Sequence, residues 1–225
     1  TNDSGTAGDF ITNDQTLIFN GTAGAGDVVT VKLDGVTLGT ATANGAGVWS
    51  YDYTGTTIAN GTYTLAASTT DIAGNTATAS QAITIDTNAP GQNGDGTAPA
   101  ITAITNDSGT AGDFITNDQT LIFNGTAGAG DVVTVKLDGV TLGTATANGA
   151  GVWSYDYTGT TIANGTYTLA ASTTDIAGNT ATASQAITID TNAPGQNGDG
   201  TAPAITAITN DSGTAGDFIT NDQTL

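Results

Sequence analysis

The run V-V-T-V-K-L-D-G-V-T-L-G-T-A-T-A-N-G-A-G-V-W-S-Y-D-Y, residues 132–157, decides the fold. Its apolar residues alternate with polar ones, which is the period of a half-buried strand. Val133, Val135 and Leu137 point one way, and Thr134 and Lys136 the other. Asp138-Gly139 then supplies a two-residue hairpin turn, because both residues tolerate φ > 0. Val140–Ala147 returns, Asn148-Gly149 turns again, and Val152–Tyr157 sets Trp153, Tyr155 and Tyr157 on one face. Helical periodicity is absent.

Working outward, the same grammar predicts a first strand near Ala100–Thr105 and a second over Thr120–Asn124 with Leu121 and Phe123 inward. It predicts a strand opening at Gly165-Thr166-Tyr167, with Tyr167, Leu169 and Ala171 inward. A last strand runs over Thr180–Ile189 and ends on Ile187 and Ile189. Seven short strands in under 100 residues describe an immunoglobulin-like β-sandwich. Tyr167 stands where a tyrosine corner belongs, and Trp153 is the natural core plug. Both are read as packing residues. The threonine pairs Thr144/Thr146 and Thr173/Thr174 suggest no flat, repeated T-x-T ladder.

The unit recurs. Thr1-Asn2-Asp3-Ser4-Gly5 returns at Thr105 and at Thr209, a spacing of 104 residues. That is too long for a solenoid repeat and suits a whole small domain. The expected organisation is all-β: tandem immunoglobulin-like sandwiches joined end to end. Residues 1–90 form a repeat lacking its first strand, 98–194 a complete repeat, and 202–225 the start of a third. Linkers fall at Thr87–Thr97 and Thr191–Thr201, bracketed by Pro90, Pro99, Pro194 and Pro203. Proline stiffens such a linker and glycine loosens it, so the residues leave its rigidity open.

Composition narrows function. The formal charge is −19, from 21 acidic residues against two lysines, Lys32 and Lys136, with no arginine or histidine. Every acid is an aspartate. Phosphate binding needs lysine or arginine, so a nucleic-acid partner is excluded and an anionic membrane surface disfavoured. Without cysteine there is neither a disulfide framework nor a thiolate metal site. No apolar run approaches a membrane span, and no signal peptide opens the stretch. Without His, Cys, Glu or Arg, catalysis would rest on Asp, Lys, Ser, Tyr and metal, and Lys136 alternates outward on its strand with no perturbing pocket. The reading is non-enzymatic.

Strand parity gathers the aspartates. If the last strand of a sandwich ends at its top, the A–B loop also lies there, while the B–C and F–G loops lie at the bottom. The top of the first repeat therefore offers Asp3, Asp9, Asp14 and Asp86. The bottom of the second offers Asp131 and Asp175, and the linker between them carries Asn93 and Asp95. The same positions recur as Asp27 and Asp71 at the bottom of the first repeat. They recur as Asp107, Asp113, Asp118, Asp190, Asn197 and Asp199 at the top of the second, and as Asp211, Asp217 and Asp222 in the third. Two carboxylates about 6 Å apart repel by roughly 0.7 kcal/mol in water and about 3 kcal/mol at an effective dielectric near 20. No basic side chain is near in sequence, so a hard cation is the expected counter-charge. Ca²⁺ takes six to eight oxygens in flexible geometry; Mg²⁺ is stricter, and Zn²⁺ wants His or Cys. Neither an EF-hand nor a glycine-rich nonapeptide is present. Asp34 and Asp138 read as hairpin-turn residues, and Asp52 and Asp156 as strand exteriors.

The motifs T-N-D-S-G-T-A-G-D-F-I-T-N-D-Q-T-L, G-T-A-G-A-G-D-V-V-T-V, G-V-W-S-Y, G-T-Y-T-L, T-T-D-I-A-G-N and I-T-I-D-T-N-A-P resemble the bacterial immunoglobulin-like extender repeats of large calcium-dependent RTX adhesins. The likeness covers the whole chain and extends to ice-binding adhesins of Antarctic bacteria. It implies an extracellular arm, anchored at the outer membrane and rigidified by Ca²⁺ between neighbouring repeats, that carries a distal domain for ice or a host surface. The family's ligands fall on the A–B loop, the D-x-A-G-N turn and the D-T-x-A-P exit. A strand of about ten residues rises roughly 3.3 Å per residue, so each domain with its linker adds roughly 40 Å of length. The alternative is a repeat that itself binds ice or carbohydrate.

Overall fold

A computed structural model describes residues 3–208, 211–221 and 223. All regular structure is β, and among the described residues no helix is long and apolar enough to cross a membrane. Seven strands form the first sandwich: β1 (Ile11–Thr12), β2 (Ile18–Thr22), β3 (Val28–Leu33), β4 (Val36–Thr42), β5 (Val48–Asp52), β6 (Gly61–Thr70) and β7 (Thr76–Ile85). Eight form the second: β8 (Ala100–Ile104), β9 (Ile115–Thr116), β10 (Ile122–Thr126), β11 (Val132–Leu137), β12 (Val140–Thr146), β13 (Val152–Asp156), β14 (Gly165–Thr174) and β15 (Thr180–Ile189).

In the second repeat a three-stranded sheet, β13-β10-β8, faces a five-stranded sheet, β12-β11-β14-β15-β9. Alternation along the strands fills the space between them. Leu121, Phe123, Val133, Val135, Leu169, Ala171, Ile187 and Ile189 are all essentially inaccessible, with Trp153 at their centre. The Trp153 indole N–H donates to Thr126 O at 3.1 Å, which satisfies its one polar atom. The Tyr167 hydroxyl donates to Ala163 O four residues upstream, the expected corner. Asp138 and Gly139 both take φ > 0, at 47° and 80°, as the hairpin requires.

Two expectations need correcting. The second strand lies at Ile122–Thr126, two residues later than expected, because Thr120 is held in a turn by Asp118. An eighth strand, β9, pairs in parallel with β15 through Thr188↔Ile115 and Ile189↔Thr116. The A–B segment thus crosses to the second sheet and covers the β15 edge, with Phe114 at φ 60° making the step. Small residues pair along β14 and β15: Thr166↔Thr188, Thr168↔Ala186, Ala170↔Ser184, Ser172↔Thr182 and Thr174↔Thr180, a mixed Thr/Ser/Ala column and not a T-x-T ladder.

The first repeat follows the same plan, with β2-β5 as its smaller sheet. A groove on this repeat is lined by Phe10, Trp49, Leu65 and Ala67. Phe10 is 45% exposed where Phe114 is 9% exposed.

Candidate metal centre

The linker between the repeats is folded. Asn93 and Gly94 take φ 49° and 89°, and Gln92 and Asp95 pair across them in a tight turn. Gln92 N donates to Ala89 O at 2.9 Å and Asn93 Nδ2 to Asn88 Oδ1 at 2.9 Å. The same turn forms at Gln196 and Asp199, so its own sequence specifies it. This turn sends the Asp95 side chain back toward the exit of β7.

There Asp95 meets Asp86, at the end of β7, and Asp175, in the turn after β14. One oxygen from each of the three lies within 4.8 Å of the others. Burial pushes the Asp95 carboxyl upward, and the charges of Asp86, Asp175 and Asp131 push it further the same way. Its Oδ2 is inaccessible and has no hydrogen-bond partner. Two ligands of one ion are separated by at most twice the metal–oxygen distance, about 4.6–5.2 Å for Ca²⁺. The three carboxylates therefore fit a shared hard cation, which would supply their counter-charge.

The other carboxylates divide by what already holds them. Most give one oxygen to a backbone N–H two to five residues away. Asp3 accepts from Gly8, Asp9 from Ile11, Asp14 from Thr16, Asp86 from Asn88, and Asp131 from Gly128. Asp107, Asp113, Asp118, Asp190, Asp211 and Asp217 repeat these bonds, and Asp27 accepts from Gly24. In the A–B loops Asp3 Oδ1, Asp9 Oδ2, Asp107 Oδ1 and Asp211 Oδ1 are inaccessible and unpartnered. Asp118 is held below the usual carboxylate range by the Asn106 amide and then by Thr120. Asp71 is held down by the Asn75 side chain and backbone. Asn93 and Asn197 brace the linker turns through Asn88 and Asn192. Asp199 pairs with Gln196 in the second linker turn, and Asp222 lies outside the described residues.

Asn179 was not singled out by sequence, although the D-I-A-G-N motif contains it. Its amide donates to the Asp86 carbonyl at 2.8 Å, across the joint, and to Asp175 at 3.0 Å. It ties the Asp175 carboxylate to the main chain of Asp86.

A family model for the bacterial Ig-like domain matches residues 1–87 and 96–191, most of the chain. The chain belongs to the bacterial Ig-like domain family. The two matched bacterial Ig-like domains coincide with the two sandwiches and leave the Asp95 turn between them. Solved structures similar to the chain include a Ca²⁺-stabilised adhesin that helps an Antarctic bacterium reach out and bind ice. It is 27% identical over 83% of this chain and 47% of that one, with a TM-score of 0.45. Another, from a 1.5-MDa bacterial ice-binding adhesin, is 24% identical over 83% of this chain and 62% of that one, with a TM-score of 0.44. A tetra-tandem repeat from the extending region of a large adhesion protein is 24% identical over 80% and 47%, with a TM-score of 0.36. This chain thus spans about half the length of the first of these. A comparison with curated proteins finds no match.

Proposed function

We propose that these repeats are a structural extender of a bacterial surface adhesin, stiffened by Ca²⁺ at the joint between neighbouring domains. The observation that supports it is the meeting of Asp86, Asp95 and Asp175, from one repeat, the linker and the next repeat. An ion there ties three separate pieces of chain together, whereas a turn or cap would use carboxylates from one. Asp131 adds charge to the same place. Near-identical units suit a spacer, since length is the one property that repetition increases without altering. In this reading the chain meets ice or a host surface only through a distal domain, its partners are its own neighbouring repeats, and it lies outside the cell, anchored at the outer membrane.

Extracellular calcium modules bind with Kd near 10⁻⁴ M, so ~10 mM Ca²⁺ would stabilise by about 2.7 kcal/mol per ion. Melting the chain in calcium and in chelator tests this. The expected result is a higher Tm in calcium, with most of the difference lost in Asp95→Asn. Superimposable curves would sink the calcium claim. A second reading, a repeat that binds ice or carbohydrate itself, is favoured by the mixed Thr/Ser/Ala column on β14 and β15. Thermal hysteresis or sugar binding by the isolated chain would support it.

A further inference from the structure

The two repeats also touch directly, away from the carboxylate group. The Ser4 hydroxyl donates to Ala177 O at 2.6 Å, and Thr6 N donates to Ile176 O at 3.3 Å. Gly5 lies against the Ile176 carbonyl so closely that a methyl group there would overlap it, and Gly178 faces Gly5 N from the other side. The A–B loop of one repeat is therefore seated on the F–G turn of the next.

The chain contains its own comparison. The F–G turn of the first repeat has the same sequence, and among the described residues no A–B loop is seated on it. There Ile72 is fully exposed and Ala73 is exposed, whereas Ile176 is 54% exposed and Ala177 is completely buried. The A–B loop of the second repeat likewise faces no F–G turn, and a methyl group on Gly109 would meet nothing. Yet both halves keep their shape when apart. Gly5 and Gly109 take φ 73° and 78°. Ser4 Oγ accepts from Asn13 N at 2.7 Å and Ser108 Oγ from Asn117 N at 2.9 Å. Asp71 N and Asp175 N each donate to the asparagine carbonyl closing their turns, both at 2.9 Å. Loop and turn are preorganised, so docking orders little additional chain.

We propose that each F–G turn is a socket for the Ser-Gly-Thr loop of the preceding repeat, forming a latch between domains that holds without a cation. The site's partner is a second unit of the same repeat, and glycine at position 5 is what lets the two backbones meet. This inference stands independently of whether the carboxylates hold an ion.

Because the chain has no cysteine, Thr40→Cys and Thr144→Cys give two unique, exposed label sites, one on each repeat. Pulsed electron paramagnetic resonance on the full chain then reads the distance between repeats, in calcium and in chelator. In chelator the parent should retain a single defined distance, and Gly5→Ala should lose it. Gly109→Ala carries the same backbone strain without the contact and should behave like the parent. Ser4→Ala against Ser108→Ala repeats the comparison without touching a glycine. Equal distributions for Gly5→Ala and Gly109→Ala, or a parent already as broad in chelator as Gly5→Ala, would overturn the latch. A parent insensitive to calcium would instead count against the ion-bridged joint and leave the latch standing.

Discussion

At the scale of single residues, Asp95 is the group whose titration should report on the joint. Burial and three neighbouring carboxylates raise its folded value above 3.8. A raised carboxyl destabilises the native joint wherever it is ionised, so the penalty is complete above the folded value and is relieved as pH falls through it. A bound cation reverses this dependence, because protons then compete with the ion for the same oxygens. In chelator, mild acidification from neutral should therefore tighten the joint, while in calcium it should loosen it. Inter-repeat distance measured against pH in both conditions checks this, and Asp95→Asn should flatten both curves. The turn aspartates behave oppositely. The Asn106 and Thr120 bonds lower Asp118, so its contribution is present above about 3.8 and is lost as pH falls through the lowered value. Strong acid should thus weaken the sandwich after it has relieved the metal-free joint.

At the scale of elements, the tightest fit is β10 beneath the Trp153 ring. Gly125 sits at a bulge between β8 and β10, with the indole on one side and the Ala100 carbonyl on the other. A methyl group there overpacks the core, which typically costs about 1–3 kcal/mol. In the first repeat the nearest atoms to a methyl group on Gly21 belong to the Trp49 indole, and none approaches as closely as the Ala100 carbonyl does at Gly125, so Gly21→Ala should cost less than Gly125→Ala. Denaturant unfolding of the two variants against the parent measures the difference. Trp153→Ala should cost more than either, about 3–5 kcal/mol, through the cavity it leaves. Most of this architecture was legible because period-2 alternation and Asp-Gly turns are local signals: Val133/Val135 and Asp138-Gly139 stand where their residue types require. Strand β9 was not legible. Two residues carry no period, and its path depends on Phe114 adopting φ > 0 in a loop held by Asp113. The site divides in the same way. Parity brought Asp86 and Asp175 to one end, but it could not show that Asp3 and Asp9 spend one oxygen each on their own loop. Nor could it reveal Gly5, whose necessity comes from a carbonyl 171 residues away in sequence.

At the scale of the whole molecule, two identical linkers sit in different surroundings. Pro90 and Pro99 are buried between the first two repeats, whereas Pro194 and Pro203 are exposed. Both linkers form the same Gln–Asp turn, so local folding does not distinguish them. What distinguishes them is the packing around the first linker, where Asp175 and Asn179 meet Asp86 and the first A–B loop is seated on the next F–G turn. Proteolysis requires local opening, and its rate follows the population of the open form. In calcium a broad-specificity protease should therefore cut within 191–201 well before it cuts within 87–97. On the proposed function, chelation would remove the ion's hold but leave the Ser4–Ala177 contact, so cleavage at 87–97 should accelerate without reaching the rate at 191–201. Adding Gly5→Ala in chelator should make the two rates equal. Fragment masses over time read all three outcomes from one chain, and equal cleavage of both linkers in calcium would show that closure of the joint does not set the stiffness of the array.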